Sequence, residues 1–558
     1  MPDTDQLIQH VAHLIETGVA LSAEKDTQAL LERIVESAQA LTHADGGTLY
    51  LVKDDALHFA VMRTDSHTSP TKEGGPPPPI PLHLDQGVPN TNTMASCTAV
   101  SGITINIANL DEVPEFDFSG ALKYEAETGY HSRSFLAIPL VNHEHDVIGV
   151  LQLINAQDPE TGEIIPFSKQ AQRAAESLAS QAAMALTNRQ LLDGLRELLE
   201  KFIEMIADAI DEKSPYTGGH CRRVPEIAML LADAINATDE GAHKHTFFTE
   251  AELYELKIAA LMHDCGKITT PVHIVDKATK LETIFDRIEL VQSRFELLKK
   301  DLEIALLKQR LAQRGEADFD ARSDPTFQAE IARLDEEFAF LRKCNLGSEF
   351  MSAEDQARVA QIGQRQWRDS QGHDQPLLTE NEHDNLIITK GTLTEDERLQ
   401  INAHIVTTLR MLESLPFPKH LRNVPEIAGG HHERMDGKGY PKGLTGEEMS
   451  VQARLMGIAD IFEALTAADR PYKKAMPLSQ ALNILANMAQ EGHIDPELFH
   501  VFIKEKVYLR YAERFLTPEQ LDEVDPQRYL TEASNALHQA ANRQRAAAPP
   551  ARRSARAG

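Results

Sequence analysis

Cysteine, positive charge and unbroken apolar text are all scarce in this chain. Its 558 residues include four cysteines, Cys97, Cys221, Cys265 and Cys344, with no Cys-x-x-Cys pair among them. That argues against a disulfide framework and a cysteine-based zinc site. Lys and Arg number 56 against 85 Asp and Glu, a formal net charge of −29. So acidic a chain is a poor match for nucleic acid, whose binding runs on phosphate neutralisation by cations. A small anionic substrate stays open, because bound metal and a few local cations reverse the field inside a single pocket. No apolar run reaches the ~18 residues that a membrane span needs. The stretch Met1-Pro2-Asp3-Thr4-Asp5 is acidic and lacks the basic-then-apolar plan of a secretory leader, so the cytoplasm is the expected compartment.

What is present is globular text, 42% hydrophobic and 25% charged, long enough for roughly three or four domain-sized units. Residues 1–25 read as a short amphipathic helix. Residues 26–188 read as an α+β domain. Its helix carries Leu30, Ile34, Val35, Ala38 and Leu41, and its strand text lies at Gly47–Val52, Leu57–Arg63, Phe135–Leu140 and Val147–Ile154. Residues 168–211 contain no Pro and one Gly, Gly194, with apolar residues recurring from Leu178 to Ile206. That pattern predicts a long connecting helix and, through it, a homodimer seam. Residues 212–280 and 385–515 are helical with Gly-rich corners. Between them, 281–384 is a charged helical insertion whose apolar spacing predicts two antiparallel helices joined near Gly315–Asp324, a candidate docking place for a protein partner. Residues 516–558 form a C-terminal segment, with Gln544–Gly558 expected to be a disordered basic tail.

One constellation carries chemistry: His220, His263-Asp264, His404, His431-His432 and Asp460. The chain has four His-Asp dipeptides, but only His263-Asp264 follows an apolar helical stretch and leads into Gly266-Lys267. His220 opens a helix after Gly218-Gly219, with Pro225 expected in its first turn. His404 is expected on a helix opened by a capping box of Thr394 and Glu397. His431-His432 follow Gly429-Gly430, where the backbone approaches a neighbour closely. Asp460 sits in Leu455-Met456-Gly457-Ile458-Ala459-Asp460-Ile461-Phe462, where a bare carboxylate is too costly and must be paired or ligated. Imidazole with carboxylate suits Fe, Mn, Co, Ni or Zn without selecting among them.

The motifs around these residues resemble the HD-GYP phosphodiesterases, a branch of the HD superfamily of metal-dependent phosphohydrolases. The matching text is Gly219-His220-Cys221-Arg222-Arg223-Val224, His263-Asp264-Cys265-Gly266-Lys267, Gly430-His431-His432-Glu433, Asp436-Gly437-Lys438-Gly439-Tyr440-Pro441 and Ala459-Asp460-Ile461-Phe462-Glu463-Ala464-Leu465-Thr466. The resemblance implies an all-α domain, here with a helical-hairpin insertion, that hydrolyses cyclic di-GMP to the linear dinucleotide or GMP. It implies that His220, His263, Asp264 and Asp460 hold one divalent transition metal, Fe or Mn foremost. Asp264 bridges to a second held by His404, His431 and His432. Lys267 then stands by the phosphate as a catalytic group, Lys438 and Arg470 are candidates for the second phosphate, and Tyr440 for the guanine pocket. Some relatives carry a Glu where this chain has Tyr216, so a two-metal site is expected. The gap from Lys267 to His404 is much longer than the family pattern, and the Asp460-to-Arg470 spacing is one residue longer than that pattern. Cyclic GMP-AMP, another nucleotide substrate, or an idle scaffold are the alternatives.

Residues 26–188 resemble a GAF sensor through Ala44-Asp45-Gly46-Gly47-Thr48-Leu49-Tyr50-Leu51, Ser134-Phe135-Leu136-Ala137-Ile138-Pro139-Leu140 and Val147-Ile148-Gly149-Val150-Leu151-Gln152-Leu153-Ile154-Asn155. Of the residues that mark the cyclic-nucleotide-binding subset, Asn155 and Phe167 are kept, while Ala156 stands where a Lys would be. The ligand of this domain is left unassigned. The gap-free helical text of residues 168–211 motivates the expectation that this domain gates the phosphodiesterase through the connecting helix.

Overall fold

The computed structural model describes residues 15–24, 26–66, 77–110, 116–119, 130–213, 219–314, 319–347, 350–468 and 475–547. The chain divides into two compact units, Met1–Leu199 and Glu200–Gly558. Of the helix expected over 1–25, residues 15–23 are helical and 1–14 lie outside the described residues. Tyr216, Arg470 and residues 548–558 also lie outside them.

The first unit is an antiparallel sheet with helices. Helix α1 (Thr27–Thr42) is capped by Asp26, whose side chain accepts from the Ala29 N–H. It leads through His43, in the left-handed region, into β1 (Ala44–Lys53). The other strands are β2 (Ala56–Thr64), β3 (Ile80–Pro81), β4 (Ile105–Ile107), β5 (Phe135–Val141), β6 (Val147–Gln157) and β7 (Ile164–Ile165), with helix α2 (Met94–Ser101) between β3 and β4. The sheet order is β3-β2-β1-β6-β5-β4, with β7 on β6. One sheet face packs Leu49, Leu136 and Leu151 against Ile34 and Val35 of α1 and against Leu178, Ala182 and Leu186. The other packs Tyr50, Phe135 and Val150 against Met94 and Ala95 of α2. Burial on both faces explains why these strands read as apolar runs rather than as clean alternation.

The amide of Asn155 is consumed by structure. Its Oδ1 accepts from Arg133 N and its Nδ2 donates to His131 O. Phe167 is 5% exposed within the core. Both residues thus serve the fold.

Helix α3 (Lys169–Lys213) is the long helix by which the chain passes from one unit to the other. The second unit is helical. Helix α4 (His220–Ala237) carries Pro225 as its sixth residue, in its second turn and not its first. Helix α5 (Glu250–Met262) ends at His263, and a 3-10 turn, Cys265–Thr269, follows.

The insertion is more than a pair of helices. To α6 (Ile288–Arg314) and α7 (Pro325–Asn345) it adds α8 (Ala353–Gly363), a two-stranded ribbon of β8 (Gln366–Arg368) and β9 (Asp374–Pro376), and α9 (Glu380–Leu386). These share a core of Leu281, Val291, Phe295, Leu334, Leu341, Val359, Ile362 and Leu378. Lys280 closes its base, donating to the carbonyls of Leu386 and Ile388.

The Thr394–Glu397 capping box opens α10 (Glu395–Asn402), not the helix that carries His404. The chain breaks at Ala403, and His404 is the first residue of α11 (His404–Glu413). Helices α12 (Val424–Gly429), α13 (Val451–Thr466), α14 (Leu478–Glu491), α15 (Pro496–Lys504) and α16 (Val507–Phe515) complete the domain. Helix α17 (Pro526–Ala547) extends through 544–547, so the expected tail is helical there. Its buried Tyr529, Ala533 and Ala536 tie it to the domain, and Ala and Arg are strong helix formers. No helix among the described residues is long and apolar enough to cross a membrane.

Candidate metal centre

Four backbone corners and one mid-helix position deliver one cluster of side chains. His220 starts α4 behind Gly219, whose φ of 84° favours glycine. His263 caps the C-terminus of α5, and Asp264 starts the 3-10 turn. This change of helical type lets two consecutive residues reach the same place. His404 starts α11, His431-His432 follow α12, and Asp460 lies in the middle of α13.

Close backbone approach holds the corners together. A Cβ on Gly266 would meet His404 O at 2.0 Å and Thr408 N at 2.6 Å. The Gly266 N–H donates to Thr408 Oγ1 at 2.9 Å. A Cβ on Gly429 would meet Leu409 Cδ2 at 2.4 Å, and one on Gly430 would meet Ala453 Cβ at 2.7 Å. The three glycines let α11, α12 and α13 close on the site.

The donor atoms form two groups that share Asp264. On one side, His220 Nε2 lies 3.3 Å from Asp264 Oδ2 and 3.2 Å from Asp460 Oδ1. His263 Nε2 lies 3.3 Å from Asp264 Oδ2 and 3.7 Å from Asp460 Oδ1. On the other, His404 Nε2 is 3.2 Å and His431 Nε2 is 4.0 Å from Asp264 Oδ1. Donor atoms of His404, His431 and His432 lie within 4.8 Å of one another, as do those of His220, His263 and Asp264. The carboxylate of Asp264, 1% exposed, thus turns one oxygen to each group.

Tautomers are set from behind. The Nδ1 of His263 faces Ala260 O at 2.7 Å, that of His431 faces Ala428 O at 2.6 Å, and that of His404 faces Ile401 O. Nδ1 of His220 donates to Glu463 Oε2, and Glu463 Oε1 accepts from Arg223 Nε at 2.6 Å. Each outer nitrogen is engaged, which leaves Nε2 free to bind a metal, the usual arrangement behind a ligating imidazole. Asp264 Oδ1, His404 Nε2 and His431 Nε2 are buried and find no hydrogen-bond partner among the described residues. Buried polar atoms are rarely left so. Orphaned donors converging from three elements fit divalent cations.

The electrostatics of the polypeptide alone agree with that. Burial pulls down the pKa of His263, but the carboxylates of Asp264 and Asp460 outweigh it and hold the imidazole at about 9. For Asp264 and Asp460 burial works upward, and their cationic neighbours, Lys267 and the imidazoles, overcome it and hold both carboxyls well below the usual range. Burial dominates at His432, pushed down to about 4, and at His431, held well below the usual imidazole value. Protons therefore gather at the carboxylate-rich group, where a cation would replace them.

Lys267 Nζ donates to Asp264 Oδ2. Beside the cluster opens a cavity of about 450 Å³ lined by His431, His432, Arg434, Lys438, Tyr440, Asp460, Leu465 and His493. The Tyr440 ring stacks on His432 with centroids 4.8 Å apart, and its hydroxyl donates to Asn402 Oδ1 at 3.2 Å. Burial raises that phenol to about 12, so it stays neutral. The Lys438 side chain is 78% exposed, 3.6 Å from Asp436 Oδ2. Arg470 lies outside the described residues. A second cavity, about 390 Å³, lies in the N-terminal domain, lined by Tyr50, Phe59, Arg63, Phe118, Tyr130 and Phe135 among others.

Sequence reasoning missed Glu463, Arg434 and His493. Glu463 had a signal. It stands three residues after Asp460 in the same apolar text, so both carboxylates share a helix face. Arg434 and His493 had none, because their nearness to the site depends on the turn after His432 and on the end of α14.

A GAF domain model matches residues 26–186. HD domain models match residues 217–334 and 381–498. The N-terminal sheet and the helical region therefore stand as GAF and HD domains. Among curated proteins, similar sequences include two from Vibrio cholerae and one from Pseudomonas aeruginosa. The first two are 3'3'-cGAMP-specific phosphodiesterase 3 (43% identical over 21% of this chain and 24% of the relative) and phosphodiesterase 1 (40% over 20% and 26%). The third is a cyclic di-GMP phosphodiesterase (36% over 22% and 28%). The chain spans about a quarter of the length of each of these relatives.

Proposed function

We propose that this chain is a metal-dependent phosphodiesterase that opens cyclic di-GMP to the linear dinucleotide, GMP or both, under control of its GAF domain. The observation that carries this reading is Asp264, whose two oxygens face two separate groups of histidines. That supports a centre of two divalent transition ions. The first would be held by His220, His263, Asp264 and Asp460, the second by Asp264, His404, His431 and His432. Iron or manganese is favoured, and Ni, Co and Zn also suit the donor set. Such a pair acidifies a water molecule and draws charge from a phosphoryl group.

The chain's own residues do the rest. Asp264 holds the two halves in register. Lys267, on Asp264, brings a fixed cation to the rim of the cluster for the phosphate or the departing oxygen. Tyr440, braced on His432, offers a neutral aromatic wall to a base. Lys438 and Arg434 bring positive charge to the cavity, and Arg470 is proposed to do so from beyond the described residues.

Cyclic GMP-AMP is the second reading, favoured by the names of the two relatives at 43% and 40% identity. Incubating the metal-loaded chain with each cyclic dinucleotide decides between them. The His263→Ala/Asp264→Ala double variant must be inactive on both, and unchanged turnover in it would remove the site from the reaction.

A homodimer through α3 is part of the same reading. Leu191, Leu195, Leu198, Phe202 and Met205 alternate at intervals of four and three, Met184 lies two such steps before Leu191, and all six are 55–65% exposed. Asn188 takes the matching position between Met184 and Leu191, where a polar residue specifies register in a paired coil. The insertion at 281–384 is proposed as a protein-docking element, supported by Ile284, Phe285 and Leu297, which lie exposed on it.

A further inference from the structure

We infer that the last turn of α3 is a positioning clamp for the metal centre, with Asp211 and Lys213 as its two jaws. This rests on the metal-centre reading above. Neither residue offers a donor atom to the cluster, yet each holds one of the segments that do.

Lys213 is the final residue of α3. An ammonium at a helix C-terminus ordinarily faces its own helix's last carbonyls or water. Here it leaves its helix. Nζ donates to Lys267 O at 2.9 Å, Ile268 O at 2.5 Å and Thr270 O at 2.6 Å. An ammonium has three donors, and all three go to one stretch that starts three residues after Asp264. The three carbonyls form a cradle that fixes where the Cys265–Thr269 turn sits, and with it Asp264 and Lys267.

Asp211, 8% exposed, stands two residues earlier and serves the other segment. Its Oδ2 accepts from Gly219 N at 3.0 Å and its Oδ1 from Cys221 N at 3.4 Å. Those amides flank His220 and belong to the start of α4, whose first N–H groups have no partner within the helix. Gly219, at φ 84°, supplies no side-chain cap of its own. Asp211 therefore fixes where α4 begins and so where His220 points.

The two jaws set one distance. Nε2 of His220 and Nε2 of His263 are 3.3 Å apart, and they come from segments 43 residues apart in sequence. The end of α3 is hydrogen-bonded to both segments. Because α3 is also the helix by which the chain passes from the GAF unit to the HD unit, a shift of its last turn alters the spacing of the donors directly.

Cobalt(II) tests this without any substrate, since its visible bands report ligand geometry and their growth reports affinity. The full-length wild type, Lys213→Met, Asp211→Asn and Lys213→Arg are titrated with Co²⁺, with far-UV circular dichroism as the folding control. Lys213→Met is expected to weaken cobalt binding about tenfold or more and to alter the bands, Asp211→Asn to weaken it severalfold, and Lys213→Arg, which keeps a charged multiple donor, to restore most of the loss. If Lys213→Met does not fold, Asp211→Asn decides alone. Folded variants with wild-type affinity and bands would overturn the clamp while leaving the metal centre standing. A wild type that takes up no cobalt would overturn both.

Discussion

Glu463 accepts from Nδ1 of His220 while its second oxygen accepts from Arg223 at 2.6 Å, and Asp460, one turn earlier on α13, lies 3.2 Å from Nε2 of the same imidazole. A single helix thus grips both nitrogens of His220, one through a would-be ligand and one through its support. Glu463→Gln keeps the shape and removes the charge that orients the ring and raises its basicity. The expected outcome is a loss of metal affinity of about tenfold or more with secondary structure intact. Competition with a chelator measures it, and an unchanged affinity would show the contact to be incidental.

Lys267 is expected to act on substrate rather than on metal. Its ammonium meets the cluster at Asp264 Oδ2. Lys267→Met should therefore retain its bound metal while turnover of the cyclic dinucleotide falls by about 100-fold or more, the scale of losing a fixed charge aimed at the reacting group. Metal analysis and single-turnover rates on the same sample separate the two effects. Metal loss in step with rate would reassign Lys267 to holding the cluster together.

Metal affinity should climb with pH. His263 holds its proton up to about 9 in the metal-free chain because two carboxylates outweigh its burial. A metal must displace that proton, so apparent affinity is expected to rise about tenfold per pH unit from pH 6 towards 9 for each proton released, and to flatten above. Stability of the metal-free chain should run the opposite way. A raised imidazole pKa contributes stability that is complete below its unfolded value near 6.5 and is lost as pH rises through about 9. Metal titrations and thermal melts across this range check both slopes.

The dimer reading has its own test. Leu195 and Leu198 are 64% and 65% exposed on α3. Replacing both with Glu should give a folded monomer by sedimentation, since charge in an apolar seam is costly when buried. A wild type that is itself monomeric at tens of micromolar would remove the seam.

The chemistry of this chain was more legible in sequence than its local geometry. The seven side chains of the candidate centre were singled out by residue type and motif, and the structure brings them together around Asp264. The β strands at Phe135–Val141 and Val147–Gln157 were legible for a similar reason, being runs of branched apolar residues bounded by turns. Breaks inside helical text were not. The Thr394–Glu397 box is a sound helix start, but nothing in Ile401-Asn402-Ala403-His404 says that one helix ends at Asn402 and the next begins at His404. Pro225 was placed one turn too near the helix start, since it is the sixth residue from His220. Asp211 and Lys213 resemble any charged helix end, and only the tertiary course of the chain reveals what they hold.

The central claim is that Asp264 joins two ligand groups into one centre. Metal stoichiometry of single variants, read by elemental analysis beside the rate on cyclic di-GMP, tests it most directly. The account predicts two ions per chain in the wild type, one in His404→Ala, and neither metal nor turnover in Asp264→Ala. An Asp264→Ala protein that keeps two ions and the wild-type rate would contradict it.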